Sequence, residues 1–93
     1  MTDELVYLDF AASTPVDRRV AELMYECRET GFANPASNHA AGRKSADIIR
    51  NAMAQLEALL NAAPATLVWT SGATESDNLA IAGGARFRAH RGK

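Results

Sequence analysis

The chain has 93 residues, 47% of them hydrophobic, and a net charge of −1. Of the apolar residues 19 are alanine, which leaves 25 bulky side chains to build a core. That size excludes a multidomain enzyme, and so thin a core argues against a large self-contained catalytic site. Near-neutral charge gives no steering toward nucleic acid or a membrane surface. No apolar run approaches the ~18 residues of a membrane span. The acidic start, Met1 to Glu4, lacks the basic flank of a signal peptide, and a lone cysteine, Cys27, excludes a disulfide framework. Cytoplasm is the expected compartment.

Val6 to Phe10 alternates weakly and is rich in β-formers, so the pattern predicts a short strand. A helix start follows: Thr14 as cap, Pro15 at the first position and Asp17 as the capping-box acid. Val20, Leu23, Met24 and Cys27 then fall at i, i+3, i+4 and i+7, one apolar stripe, and Gly31 is a natural stop. Phe32 to Asn38 reads as loop, because Pro35 disfavours helix at Asn34. Ser37 or Asn38 can cap a long helix from about His39 to Asn61. Its stripe runs through Ser45, Ile48, Ile49, Ala52, Met53, Leu56, Leu59 and Leu60, and Pro64 closes it.

Thr66 to Thr70 is a short run of β-branched and aromatic residues typical of a buried strand. Ser71, Gly72 and Ala73 turn the chain into another helix, with Thr74 as cap and Asp77 three residues on. Gly83 and Gly84 weaken that helix locally or mark close packing. Arg86, Arg88, Arg91 and Lys93 suit the negative end of its dipole. Strand, glycine turn and helix make half of a βαβ unit without its parallel partner, so the expected class is α/β, incomplete in this chain.

The strongest local feature is Thr70 to Asn78. A helix N-terminus after a strand, with a glycine for close backbone approach, is an anion site, and Ser71 and Thr74 add hydroxyl donors. It is neither a Walker loop nor a dinucleotide fingerprint. Capping without a ligand is the commoner use of such residues, so spacing alone favours an unliganded cap over phosphate binding. Cys27, His39 and His90 share no metal-ligand spacing. Cys27 reads as a buried thiol, and His39 as a surface or capping residue as readily as a catalytic one. His90 reads as a solvated residue of the basic tail, a tail better explained as a solvated face than as a nucleic-acid site. Glu75 and Asp77 are dipole-favoured acids rather than an acid–base pair.

Three ordered blocks nevertheless resemble one family. Tyr7 to Val16, Asn34 to His39 with Gly42 and Arg43, and Thr70 to Ala80 are similar to successive motifs of the pyridoxal-phosphate cysteine desulfurases. The wording fits the housekeeping and nitrogen-fixation group. The resemblance spans nearly the whole chain and implies a fold-type-I, class V aminotransferase architecture with a mostly parallel sheet. Residues 1–14 would lie on the small-domain side and 15–93 would begin the large domain. It implies a homodimer that converts L-cysteine to L-alanine and an enzyme persulfide, with sulfur passed to iron–sulfur scaffolds and tRNA-thiolation acceptors.

The resemblance also assigns residues. Backbone around Ala73, and the backbone and hydroxyl of Thr74, would hold the cofactor phosphate, which reverses the preference for an unliganded cap. Ala11, in the Ala11–Thr14 stretch, and Asn34 and His39, in the Asn34–His39 loop, would stand near the substrate entrance and the subunit interface. The family's cofactor-stacking histidine, pyridine-pairing aspartate, Schiff-base lysine and persulfide cysteine have no counterpart. Lys44 and Lys93 do not match the lysine position, nor Cys27 the cysteine. An N-terminal fragment without desulfurase activity of its own is the expectation. A non-catalytic interaction module and a small phosphate-binding domain are the alternatives.

Overall fold

A computed structural model describes residues 4–92; Met1, Thr2, Asp3 and Lys93 lie outside the described residues. The elements are α1 (Arg18–Thr30), α2 (Ala40–Leu59), α3 (Ala73–Arg88) and a 3-10 turn, Ala89–Arg91. The backbone divides into two compact units, Met1–Asn51 and Ala52–Lys93, with the boundary inside α2.

In the first unit, residues 6–10 are not a strand. A strand exists through ladder hydrogen bonds, and alternation alone supplies none. The segment instead closes a local turn. Asp9 O accepts the N–H groups of Ala12 at 3.1 Å and Ser13 at 3.3 Å. The Tyr7 hydroxyl is shared between Asp9 O at 2.8 Å and Ser13 O at 3.0 Å, and the Tyr7 ring meets Phe10 edge to face at 5.2 Å.

The cap of α1 is Asp17, not Thr14. Its carboxylate accepts the Arg19 N–H at 2.8 Å and the Arg19 guanidinium at 3.0 Å. With Asp17 as cap the helix opens at Arg18, so Pro15 lies before it. Gly31 ends α1 as expected, its N–H on Cys27 O at 2.7 Å. A Cβ at Gly31 would lie 2.9 Å from both Cys27 O and Ile48 Cδ1. Beside it, the Ser45 hydroxyl, only 4% exposed, reaches Gly31 O at 3.0 Å and Ala41 O at 3.3 Å. Ser45 therefore serves as the polar tie between the end of α1 and α2.

In the second unit, α2 stops at Leu59 rather than Asn61, because Asn61 turns left-handed (φ 51°). Asn61 N–H meets Ala58 O at 3.3 Å and Ala62 N–H meets Glu57 O at 2.9 Å, the paired bonds of a Schellman cap. Ala65 is also left-handed (φ 61°), its N–H held by Glu57 Oε1 at 2.8 Å. Thr66 to Thr70 is unpaired, so the second expected strand is absent too. Met53, Leu56 and Leu60 of α2 form an open apolar groove with Leu67, Val68 and Trp69. The sheet expected of an α/β fold is thus absent among the described residues, for want of strands to pair.

Among the described residues no apolar side chain is buried. The α1 stripe (Val20, Leu23, Met24) is exposed, as are Leu59 and Phe87, at 81% and 77%. Among the described residues the α1 stripe is left largely uncovered, while Ser45, Ile48 and Met53 of the α2 stripe are at least half-buried. Gly83 and Gly84 continue α3, and a Cβ on either would touch nothing within 4 Å, so they mark no close contact here.

Candidate functional site

The N-terminus of α3 is the most organised polar feature of the second unit. Gly72, not Thr74, is the N-cap, and it brings no side-chain cap bond. Its carbonyl accepts Ser76 N–H at 3.1 Å. Ala73 and Thr74 are the first two helical residues, so their N–H groups precede any intrahelical acceptor and point off the helix end. Flanking side chains brace the turn. The Thr70 hydroxyl lies 2.6 Å from the Ser76 hydroxyl and 3.1 Å from Gly72 O. Asn78 Nδ2 donates to Thr74 O at 2.8 Å.

Glu75, rather than Asp77, plays the capping acid. Its Oε2 accepts the Ser71 hydroxyl at 2.6 Å and the Ser71 N–H at 2.9 Å. The Ser71 hydroxyl first, and its N–H second, hold the Glu75 carboxyl below its ordinary range. The carboxylate is thereby bonded to Ser71, one residue before the cap. A Cβ at Gly72 would meet no atom of the chain within 4 Å, which leaves that side of the turn open. Open glycine, two first-turn N–H groups, the Thr74 hydroxyl and the positive helix end fit an anionic phosphate.

The other expected site residues fall in the first unit. Asn34 and His39 share one hydrogen-bonded loop. Asn34 Oδ1 accepts Ala36 N–H at 2.8 Å, Asn34 O accepts Ser37 N–H at 3.0 Å, and Ser37 O accepts His39 N–H at 3.0 Å. His39, not Ser37 or Asn38, caps α2: its Nδ1 accepts Gly42 N–H at 3.0 Å, and its carbonyl takes Arg43 N–H at 2.9 Å. Ala11 stands in the separate turn closed by Tyr7 and Asp9. The bracing roles of Tyr7, Thr70, Ser71 and Glu75 escape sequence reasoning. Only the four-residue step from Ser71 to Glu75 hints at one of them.

The profile of the family described as Aminotransferase class-V matches residues 6–93. The chain belongs to the class V aminotransferases. Over 91 residues, 95% of the chain, it is 57% identical to the cysteine desulfurase IscS of Stutzerimonas stutzeri (strain A1501). It is 55% identical over 91 residues to the IscS of Azotobacter vinelandii, and 55% over 89 to that of Neisseria meningitidis serogroup C (strain 053442). The chain spans 22% of the length of these relatives. No solved structure matches it.

Within this class V aminotransferase chain, Lys44 sits in α2 and Cys27 in α1, both outside the Thr70–Asn78 turn. Cys27 is half-buried on the α1 stripe, in keeping with a packing thiol. None of the described helices is long and apolar enough to cross a membrane.

Proposed function

We propose that this chain is the phosphate-cradling portion of a cytoplasmic, homodimeric, pyridoxal-phosphate-dependent cysteine desulfurase. The observation that carries the reading is 57% identity to a cysteine desulfurase across 91 residues. The open N-terminus of α3 supports it. In the whole enzyme the C–S bond of L-cysteine breaks, sulfur passes to a cysteine thiol as a persulfide, and L-alanine leaves. That sulfur supplies iron–sulfur scaffolds and tRNA-thiolation acceptors.

The cofactor, when bound, withdraws electrons from the substrate. This chain's part is to hold its phosphate through the Ala73 and Thr74 N–H groups and the Thr74 hydroxyl. Ala11, Asn34 and His39 line the approach of L-cysteine. Residues 1–14 belong to the small-domain side and 15–93 open the large domain, whose parallel sheet takes in Thr66 to Thr70.

No lysine or cysteine here stands at the family's reactive positions, so the chain turns over no substrate alone. Incubation with pyridoxal phosphate and L-cysteine tests this. No alanine and no borohydride-reducible adduct at one particular lysine is the expected result; stoichiometric labelling of one lysine with turnover overturns it.

The exposed stripe of α1 favours a second reading, an interaction module that pairs with an intact desulfurase subunit. Capture of an intact enzyme, lost when the Asn34–His39 loop is mutated, distinguishes it.

A further inference from the structure

The loop from Asn34 to His39 is seated on α2 by a contact that no side chain larger than hydrogen permits. A Cβ at Gly42 would lie 2.1 Å from Ser37 O and 2.9 Å from Asn34 O. Gly42 is accordingly one of the two buried residues of α2. At the same point His39 Nδ1 accepts the Gly42 N–H at 3.0 Å. One residue therefore provides both the bare backbone on which the loop rests and the donor that ties the loop's last side chain.

We propose that His39 is a positioning residue whose Nδ1, by capping α2 at Gly42, locks the Asn34–Ser37 turn in place. It rests on the reading that this loop borders the substrate path, but its geometry is local to residues 34–43. An Nδ1 that accepts carries no proton, so the neutral ring is fixed as the Nε2–H tautomer. The charged group facing this turn is Arg43, whose guanidinium reaches Asn38 Oδ1 at 3.4 Å.

Nitrogen-15 NMR of the whole chain tests this, with Gly42 amide exchange as second readout. The wild type is expected to show the Nε2–H tautomer. His39→Ala should speed Gly42 exchange about fivefold, the usual worth of a helix cap, whereas His39→Asn, whose Oδ1 caps equally well, should restore protection. Gly42→Ala should release the loop with His39 intact. An Nδ1–H tautomer, equal exchange in the Ala and Asn variants, or coil signals throughout residues 34–43 overturns the proposal. None of these readouts uses cofactor or cysteine, so failure of the desulfurase reading leaves them standing.

Discussion

The carboxylate of Glu75 folds back on Ser71, taking its hydroxyl at 2.6 Å and its N–H at 2.9 Å. A negative charge on the residue next to Thr74 would ordinarily compete with an anion bound there. Bound to Ser71, it is satisfied within the chain, and the proposed phosphate donors are the first-turn N–H groups of Ala73 and Thr74.

Inorganic phosphate should therefore bind this turn, and two variants separate cradle from helix. Thr74→Ala removes one hydroxyl donor and should weaken binding roughly tenfold, about what a hydrogen bond to a charged group contributes. Gly72→Ala adds a methyl that meets nothing in the chain. Its cost to α3 should be small, as read by circular dichroism, while phosphate binding is lost. Calorimetry measures both, and equal affinity in all three proteins counts against the site.

The Ser71 contact also makes a titration signature. Hydrogen bonds to its charged form lower the Glu75 carboxyl in the folded chain. Its contribution is thus complete above the ordinary carboxylate range near pH ~4, and it is lost as pH falls through the lowered value. Ser71→Ala should move the Glu75 titration, followed by carboxyl-carbon NMR, back up toward that range. An unchanged midpoint would mean the contact does not form.

Asp17 behaves likewise at α1, lowered first by the Arg19 side chain and then by the Arg19 N–H. Asp17→Ala should reduce α1 helicity near neutral pH, and the difference from wild type should vanish in acid. Thr14→Ala should change nothing. Amide shifts of Arg18 to Val20 check this, and a larger effect from Thr14 would restore the cap that the sequence suggested.

The joint between α1 and α2 should be sensitive to single atoms. Ser45→Ala leaves Gly31 O without its buried donor and should destabilise the first unit by about 1–2 kcal/mol. Bulkier residues at Gly31 meet Cys27 O and Ile48 at 2.9 Å, so Gly31→Val should cost about 3 kcal/mol. Urea titration read at Gly42 and Ser45 amides gives both values.

Much of this was legible in the residues. The i, i+3, i+4 spacing from Val20 to Cys27, the stop at Gly31 and the loop before His39 all follow from local chemistry. So does the turn at Gly72, because one glycine and its flanking hydroxyls decide it. What failed were features that depend on a partner. Val6 to Phe10 and Thr66 to Thr70 have strand composition, yet a strand needs another to pair with. The caps shifted for a related reason. Thr14, Ser37 and Thr74 are good caps by type, but Asp17, His39 and Gly72 hold the positions where the neighbouring N–H groups point. Residue type alone ranks Asp17 above Thr14, and His39 is among the expected capping residues; the cap at Gly72 is the one that residue type does not foretell. The absence of a buried apolar side chain among the described residues extends the warning already given by 19 alanines.

The central claim is that the first turn of α3 is a phosphate cradle, and one measurement addresses it directly. The chain is titrated with pyridoxal 5′-phosphate and, separately, with pyridoxal, while the amide signals of Gly72, Ala73 and Thr74 are followed by NMR. The expected result is a saturable shift at these three amides with the phosphorylated compound and none with pyridoxal. Identical responses to the two compounds, or no response at Ala73 and Thr74, would contradict it.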